Sequence, residues 1–546
     1  MRGSLAPVAC GRSAPIPLSR RRFTRSAAFG SLVRVKFAAT RRLPTAHGRA
    51  LVNRESSTMR TSVGLVFLLV VACDGGAPEA DASIDAAPVT DATPAPDASP
   101  ADAGLAAPLD EALDCRRPGS AGGLPGGTHL TRVDVDLDRY PDALCNDGTG
   151  GVFFVRRATR AEDADRWIVQ LLGGGTCQDG QSCANRFCAS GSAIGALKMS
   201  SREAPTRGTT GEGISSMRAD NPFATWNHVV IWYCSSDAWS GTARDVALEA
   251  DHPERPGEPV RYRLHFLGSE IFDAVVDTLR AAPFSYRDAS GDDVVMPDLD
   301  EARTVLLAGA SAGSGGVRNQ IDRFAEALRS DNPAVDVRAV LDAVMAPARE
   351  ALGYADSALC RERDVCTYEA HLRPVWEETR PLRGAVGDES CPAWHAANDP
   401  GSEWRCGDLD HVLRHHITTP FFFRQDQADG VVMPNTVDLG YTVPSRGDAP
   451  MDARLFAELI AEEAATLTTS AWWSGEAHEG AGVAVIPGAF SPRCGHHETL
   501  RTESATYGVR VEQDGTQRAP MGLLAAWLAG DPVRAIAGDP STFTCP

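Results

Sequence analysis

Ser311 stands in a residue pattern that suits nucleophilic chemistry. The run TVLLAGASAG over residues 304–313 is a buried-strand pattern that continues directly into Gly-x-Ser-x-Gly, and a helical pattern follows. A sharp turn from strand to helix strains the serine and exposes its hydroxyl, while Ala310, Ala312 and Gly313 let neighbouring backbone pass closely. A serine that only caps the following helix is the alternative. The context favours an acyl-transfer nucleophile.

Acidic and histidine side chains later in the chain can complete a catalytic triad with Ser311. A serine hydroxyl is a weak nucleophile unless a base removes its proton and an acid orients that base. After such a strand–turn–helix the acid and then the base follow along the chain. The run TPFFFRQDQAD predicts Asp429 as the acid, with Asp426 as the alternative. The run CGHHET offers His496 and His497 as bases without deciding between them.

Three consecutive glycines end the first clear strand pattern, in the run LLGGGTCQDGQSC that begins at Leu171. Residues without side chains can bring bare amide N–H groups against a developing oxyanion. The run therefore predicts an oxyanion-binding turn near the serine, with a plain tight turn as the alternative.

His411 and His415 have a spacing that suits a metal ion on one face of a helix. However, no glutamate stands in the register of an HExxH motif, and no CxxC or Cys/His metal spacing occurs elsewhere. We therefore interpret the pair as part of a solvated helix face, and we predict no metal and no organic cofactor.

Short β-rich runs alternate with helical or loop-rich stretches from residue 111 onward, as in a mostly parallel sheet covered by helices on both faces. An apolar stripe predicts a helix over Gly268–Ala282. Cys360–Cys406 fits no long strand or helix, and we interpret it as an inserted cap over the site. We expect one catalytic domain over residues 111–546. The clearest strands are Trp167–Leu172, His228–Cys234, Thr304–Gly309, Val337–Leu341 and Thr419–Arg424.

The first 110 residues do not have the pattern of a folded core. Residues 1–58 carry twelve Lys and Arg against one acid, and we interpret them as a mis-assigned start, with a twin-arginine signal as the alternative. Residues 59–73 combine a basic end, the apolar run VGLVFLLVVA and Cys73. They resemble a bacterial lipoprotein signal in which Cys73 carries the lipid, and a plain secretory signal is the alternative. Residues 74–110 predict a disordered tether of Asp, Ala and Pro.

Charge and cysteine content restrict the partners and the compartment. Without residues 1–58 the chain has 41 basic and 71 acidic residues, a formal charge of −30, which argues against nucleic-acid binding. Twelve of the fourteen cysteines follow Cys73, an even number that suits disulfides in an oxidising compartment. We expect an extracytoplasmic protein, lipid-anchored to a bacterial membrane.

Several ordered motifs together resemble the pectin acetylesterase and Notum family of α/β-hydrolases. The likeness extends over about 350 residues, from Cys145 to beyond His497. The strings that carry it are CNDGTGGVFF from Cys145, LLGGGTCQDGQSCANR from Leu171, YCSSDAWSG from Tyr233, FLG from Phe266, GASAG from Gly309 and CGHHE from Cys494.

The resemblance implies an α/β-hydrolase fold with Ser311 as nucleophile, Asp429 as acid and His497 as base. It implies an oxyanion hole built from the amides of Gly174, Gly175 and Ala312. It also implies the disulfides Cys177–Cys183 and Cys145–Cys234. The Notum-like run SSDAW further suggests a substrate pocket near Trp239 and Asp237. Leu172 replaces an acid that these relatives usually carry, which leaves the shape of the acyl pocket open.

We expect a serine carboxylester hydrolase that removes acetyl or other short acyl groups from polysaccharide through an acyl-enzyme, because a surface tether suits an insoluble polymer. The triple glycine resembles plant pectin acetylesterases, whereas the run SSDAW resembles Notum, which removes a fatty acyl group from a signalling protein. A Notum-like deacylase of lipidated protein or lipid is therefore one alternative. A glycan-binding lipoprotein without turnover is another.

Overall fold

A computed structural model describes residues 106–545, apart from 116–123, 190–197, 282, 344, 355–359, 362–365, 385–386, 471–472, 474–484 and 539–542. The expected extension over 1–58, the signal over 59–73 with Cys73, and nearly all of the tether over 74–110 lie outside the described residues. None of the helices in the described part of the chain combines the length and the hydropathy of a membrane span.

A ten-stranded mixed sheet organises the described part of the chain. In chain order its strands are β1 Gly126–Asp134, β2 Val152–Arg156, β3 Arg166–Leu171, β4 Gly208–Thr209, β5 Asn227–Ile231, β6 Thr304–Ala310, β7 Asp336–Asp342, β8 Phe421–Arg424, β9 Gly488–Ser491 and β10 Arg534–Ile536. Their order in the sheet is β10-β9-β8-β7-β6-β3-β5-β2-β1-β4, where the strands from β10 to β5 are parallel and the last three are antiparallel.

Helices cover both faces of this sheet. They are α1 Leu109–Leu113, α2 Gly180–Phe187, α3 Gly268–Arg280, α4 Ala312–Asp331, α5 Tyr368–Arg383, α6 Ser390–Asn398, α7 Leu409–His415, α8 Val432–Val437, α9 Ala453–Leu467, α10 Glu503–Gly508 and α11 Pro520–Leu528. Single 3-10 turns lie at Ala161–Asp163, Ser201–Glu203, Gly213–Ser215, Leu299–Glu301, Arg349–Ala351, Glu403–Gly407, Pro444–Arg446 and Thr499–Arg501.

Four small sheets lie outside the main one. They comprise Ala107–Pro108 with Pro259–Phe266 and Ala243–Asp251, Ser285–Arg287 with Asp293–Val295, Gly353–Tyr354 with Tyr441–Val443 and Ala449–Pro450, and Arg510–Gln513 with Thr516–Arg518 and Phe543–Thr544.

The two-residue period of the central strands divides the core into two layers. On β6, Val305 and Leu307 pack with α3 and α4 in one apolar cluster, whereas Leu306 packs with α11 in another. A strand covered on both faces has apolar residues at every position, which is why β6 appears in the sequence as one continuous hydrophobic run. The predicted fold class, a mostly parallel sheet flanked by helices, is confirmed.

The segment between β7 and β8 differs from its prediction. We expected Cys360–Cys406 to contain no long helix, but α5 is a helix of sixteen residues with Pro374 and Pro381 inside it. Each proline removes a helical N–H donor, so the local sequence opposes a helix. Two kinds of contact oppose that preference: Arg373 forms i,i+4 ion pairs within the helix, and it stacks over Trp404 outside it.

The folded domain begins before residue 111, where we had placed the end of the tether. Ala107–Pro108 pairs in parallel with the strand Pro259–Phe266. Leu109 and Leu113 are fully buried in an apolar cluster with Tyr262. Their i, i+4 spacing gives the short helix α1 a single apolar face, which explains why it docks although the preceding residues are polar.

Six disulfides join all twelve cysteines of the described residues, including both pairs that the family resemblance implies. Of the two implied pairs, Cys177–Cys183 links the glycine-rich turn to α2, and Cys145–Cys234 links the loop before β2 to the start of the loop after β5. The bonds are Cys115–Cys188, Cys145–Cys234, Cys177–Cys183, Cys360–Cys366, Cys391–Cys406 and Cys494–Cys545.

Candidate active site

Ser311 lies between β6 and α4 in a backbone conformation that few residues other than glycine adopt. Its φ is 54° and its ψ is −124°, a strained geometry that persists where the surrounding structure enforces it. The Ser311 N–H donates to the carbonyl oxygen of Asp342 at 2.9 Å. The Ser311 side chain makes no capping hydrogen bond to α4 and instead lines a cavity. The capping alternative is therefore wrong.

The two glycines around Ser311 permit a close approach of backbone segments. A Cβ atom on Gly309 would lie 2.3 Å from the carbonyl oxygen of Gly313, and a Cβ atom on Gly313 would lie 2.2 Å from that of Leu171. Both distances are shorter than any real Cβ contact. The strand–serine–helix turn thus requires glycine at both positions, because the start of α4 approaches the ends of β6 and β3 this closely.

His497 is oriented by Asp429. The His497 Nδ1 atom lies 3.0 Å from each carboxylate oxygen of Asp429, and Asp429 Oδ1 also accepts from the N–H groups of Val431 and Val432 at 2.9 Å. Burial lowers the pKa of the His497 imidazole, but the hydrogen bond and charge of Asp429 outweigh it and raise that pKa above its ordinary value. Nδ1 therefore carries the proton toward Asp429, and Nε2 is left as the basic atom.

His496 and Asp426, the alternatives from the sequence, form a second pair. Asp426 Oδ2 accepts from the His496 N–H at 2.8 Å and lies 3.1 Å from His496 Nδ1. Arg424 Nη2 also contacts Asp426 Oδ1 at 2.9 Å. However, the cavity that contains Ser311 is lined by His497 and not by His496. The structure thus brings Ser311, His497 and Asp429 to one place and puts the other pair beside it.

The glycine-rich turn reaches the same cavity. Gly174 has a φ of 141° and Gly175 a φ of 73°, values that L-residues with side chains rarely adopt. Gly175 and Ala312 line the cavity together with Ser311, whereas Gly174 lies just behind it, against the side chain of Lys198. Within the described residues, the N–H groups of Gly174 and Gly175 donate no backbone hydrogen bond, and that of Ala312 donates none outside α4. They are therefore candidate donors to an oxyanion.

Tyr233 holds this turn in place, a role that the sequence did not reveal. Its hydroxyl donates to the carbonyl oxygen of Gly175 at 2.9 Å and accepts from the Ala238 N–H at 2.9 Å. Burial raises the pKa of Tyr233 far above its ordinary value, so the hydroxyl keeps its proton. A buried tyrosine immediately before Cys234 in the run YCSSDAW was the signal that could have suggested this.

Asp342 supports the serine and histidine loops from below. Its side chain is fully buried at the end of β7 and accepts from Thr499 Oγ1 at 2.7 Å and from the Leu500 N–H at 2.9 Å. These contacts hold the loop that follows His497. Nothing in the local sequence around Asp342 distinguishes it from other strand ends, so only the structure identifies it.

The cavity in front of Ser311 has a volume of about 430 Å³ and mixed chemistry. Two ion pairs line it: Arg318 Nη1 contacts Asp410 Oδ1 at 2.8 Å, and Arg349 Nη1 contacts Asp408 Oδ1 at 3.2 Å. Its apolar part includes Val431, Val432, Leu409 and Leu439. The cavity can therefore hold a small acyl group next to polar hydroxyl-bearing substrate.

The expected pocket residues Trp239 and Asp237 do not line this cavity. Both are fully buried. Trp239 Nε1 donates to the Leu172 carbonyl oxygen at 3.0 Å, and Asp237 accepts from the N–H groups of Trp239 and Gly268. They build the loop after β5, and only the Ala238 between them reaches the cavity. The expectation failed because both side chains bond to backbone groups of the buried interior, which the local sequence does not show.

His411 and His415 do not form a solvated helix face. The His411 side chain is 1% exposed and that of His415 is 11% exposed. Both contact Glu350, at 3.3 Å from His411 Nδ1 and at 2.9 Å from His415 Nε2. The prediction was wrong because Glu350 comes from the loop after β7, about sixty residues away in sequence.

Comparison with known proteins agrees with this architecture. The pectinacetylesterase family model matches residues 129–345. Human palmitoleoyl-protein carboxylesterase NOTUM is 33% identical over 268 residues, which cover 48% of this chain and 44% of the relative. Notum2 of Xenopus laevis is 29% identical over 290 residues, 52% of this chain and 49% of the relative. The chain thus spans about half the length of the curated relatives it matches.

A solved structure has the same fold. The Drosophila Wnt deacylase Notum superposes with a TM-score of 0.50 at 24% sequence identity, covering 76% of this chain and 97% of that one. The parallel sheet, the strained serine between β6 and α4 and the flanking helices are the elements of an α/β-hydrolase. On these matches, residues 129–345 belong to the pectinacetylesterase family, and the chain has the α/β-hydrolase fold and is similar in sequence to the Notum carboxylesterases.

Proposed function

We propose that this protein is a carboxylic ester hydrolase with Ser311 as nucleophile, His497 as base and Asp429 as the acid that orients it. One observation carries the proposal: Ser311 and His497 line a single cavity, and the far nitrogen of His497 is held by Asp429. The curated relatives are named as carboxylesterases, which supports the same class of reaction.

In the proposed reaction, Ser311 Oγ attacks the ester carbonyl carbon while its proton passes to His497 Nε2. The amides of Gly174, Gly175 and Ala312 stabilise the charge that develops on the carbonyl oxygen. The imidazolium then donates its proton to the leaving alkoxide, and an acyl-enzyme remains. Water, deprotonated by His497, attacks this acyl-enzyme, and the carboxylic acid leaves as Ser311 recovers its proton.

A fluorophosphonate probe tests the nucleophile directly. We expect one site of labelling at Ser311, because only an activated serine reacts, and we expect Ser311→Ala to abolish both labelling and ester hydrolysis. Mass spectrometry of the labelled peptide identifies the residue. Ser314→Ala is the matched control, since Ser314 Oγ is buried and donates to the Gly309 carbonyl oxygen. An unlabelled wild type would instead favour a glycan-binding lipoprotein without turnover.

We propose that the acyl group is short and that the alcohol is a polysaccharide. Each methylene gains about 0.8 kcal/mol only when it enters apolar surroundings, and the Arg318–Asp410 and Arg349–Asp408 pairs occupy the wall that a longer chain would meet. Short acyl groups need only the apolar patch near Val431 and Leu439. The hydroxyl groups of a sugar suit the charged wall.

A series of nitrophenyl esters with two to sixteen carbons tests the acyl length. We expect kcat/KM to be highest for two to four carbons and to fall at least tenfold by eight carbons. Acetylated pectin and xylan should release acetate, which is measured enzymatically. A preference for long chains would support the second candidate, a deacylase of lipidated protein or lipid, which is favoured by the named activity of the NOTUM relatives.

We further propose that the protein works outside the cytoplasm, tethered to a bacterial membrane by lipid on Cys73. The six disulfides support an oxidising compartment. Metabolic labelling with an alkyne fatty acid tests the anchor, because Cys73→Ala should lose the label and leave the membrane fraction.

A further inference from the structure

Glu350, His411 and His415 form a polar cluster in the wall behind the cavity. Glu350 belongs to the 3-10 turn after β7, and the two histidines are one turn apart on α7. Glu350 Oε2 lies 3.3 Å from His411 Nδ1, and Oε1 lies 2.9 Å from His415 Nε2. The neighbouring Arg349 and Asp410 line the cavity. The cluster therefore joins two distant segments that both shape the site.

The hydrogen bonds around His395 fix the protons of this cluster. Ser402 Oγ lies 2.6 Å from the Asp399 carbonyl oxygen and 2.9 Å from His395 Nδ1. A hydroxyl has one proton, and a carbonyl oxygen can only accept, so Ser402 donates to Asp399 and His395 Nδ1 donates to Ser402. His395 Nε2 lies 3.1 Å from His411 Nε2. A neutral His395 accepts there, and His411 Nε2 donates.

His411 Nδ1 then has a lone pair that faces the carboxylate of Glu350. Two acceptors 3.3 Å apart repel each other unless a positive charge lies between them. A metal cation satisfies this arrangement without an extra proton on His411.

We propose that Glu350, His411 and His415 bind one Zn²⁺ ion, through a carboxylate oxygen, Nδ1 and Nε2 respectively. The three ligand atoms lie within 4.8 Å of one another. In a tetrahedral zinc site with bonds of about 2.0 to 2.1 Å, neighbouring ligand atoms are about 3.3 Å apart. Here His411 Nδ1 lies 3.3 Å from Glu350 Oε2, and His415 Nε2 lies 2.9 Å from Oε1 of the same carboxylate. Two imidazoles and one carboxylate are a donor set that suits zinc, and water completes the four ligands.

The surroundings of the site have the features that zinc sites require. His395 accepts the other N–H of His411, the kind of outer hydrogen bond that fixes the tautomer of a ligating histidine. The Glu350 and His415 side chains are 27% and 11% exposed, which leaves a path for the ion to enter. Arg405 approaches Glu350 Oε2 only to 3.9 Å. The bound ion would clamp α7 to the loop after β7 and so hold Arg349 and Asp410 at the cavity.

Metal binding to the full chain tests the proposal without any substrate. The protein is stripped with a chelator, dialysed and titrated with Zn²⁺ by calorimetry, and bound zinc is counted by elemental mass spectrometry. We expect one ion per chain and a rise in Tm that the chelator reverses. Substitution with Co²⁺ should give the visible absorption of a four-coordinate site.

Variants distinguish this site from adventitious binding. We expect Glu350→Gln and His415→Gln each to reduce zinc affinity at least 100-fold, and His395→Gln to weaken it about 10- to 100-fold with the stoichiometry unchanged. The control is His129→Gln, because His129 is exposed and remote in sequence. It should bind zinc as the wild type does. Should the folded wild type bind no zinc, or bind it equally after Glu350→Gln, the proposal is overturned.

Discussion

At the scale of single residues, the candidate site depends on which nitrogen of His497 holds the proton. Asp429 accepts two backbone N–H groups at the start of α8 as well as contacting His497 Nδ1. Burial raises the pKa of Asp429, but these contacts outweigh it and hold the pKa below its ordinary value. An ionised Asp429 keeps the proton on Nδ1, which leaves Nε2 as the basic atom for the proposed reaction at Ser311.

The raised pKa of His497 predicts the pH dependence of hydrolysis. Activity needs the neutral imidazole, so it should fall as pH decreases through a pKa above the ordinary histidine value of about 6.5. Asp429→Asn removes the charge that raises this pKa. We expect that variant to lower kcat about 10⁴-fold and to move the acidic inflection of kcat/KM to lower pH.

Steady-state pH profiles with a soluble nitrophenyl ester measure both effects. Asp426→Asn is the matched control, since Asp426 contacts His496 instead of His497. It should leave the inflection where it is in the wild type. A larger shift for Asp426→Asn than for Asp429→Asn would show that Asp426, and not Asp429, orients the catalytic histidine.

At the scale of elements, the segment between β7 and β8 shapes the cavity with α7 and depends on cross-links for its structure. It contains the helix α5, which is capped at both ends but has two internal prolines, and the short helix α6, which has no side-chain cap. Two disulfides, Cys360–Cys366 and Cys391–Cys406, lie within this segment. Because prolines disfavour one helix and the other is short, we expect the cross-links to contribute to the stability of the segment.

Removal of each bond should destabilise the protein in proportion to the loop it closes. Cys391–Cys406 has a sequence separation of 15 and Cys360–Cys366 one of 6. Loss of loop-closure entropy predicts about 3 kcal/mol for the first pair and about 2 kcal/mol for the second. Paired serine substitutions with denaturant unfolding measure this. The reverse order of the two losses would show that packing, and not chain entropy, dominates.

At the scale of the whole molecule, charge should influence the choice of polymer. The chain has a formal net charge of −19, so it repels a polyanion, and salt screens that repulsion with a Debye length of about 10 Å at 0.1 M. We expect the KM for an acetylated anionic polymer to decrease when salt is raised from 0.01 to 0.2 M. The KM for neutral acetylated xylan serves as the control and should not change. Equal responses of the two polymers would contradict this.

The sequence alone was enough to predict the fold class, Ser311 as the candidate nucleophile and Asp429 as the preferred acid. It left His496 and His497 open as the base, and only the family resemblance chose His497. Continuous apolar runs such as the one in β6 are what a strand covered on both faces requires, and Gly-x-Ser-x-Gly directly after it marks the serine turn. Asp429 and His497 follow in the expected chain order. These features are local in sequence or depend only on the order of residues along the chain, so they can be predicted without the folded structure.

Contacts between distant segments could not be predicted in this way. The segment Tyr368–Arg383 forms a long helix although it contains two prolines, which disfavour a helix. Trp239 lies in the core and does not line the cavity. It also brought Glu350 to His411, which converted an apparently solvated helix face into a buried polar cluster. The type of each residue, which the sequence gives, determines what chemistry its side chain can perform. Which of these possibilities is realised depends on neighbouring side chains, and these come from distant chain segments that only the folded structure brings together.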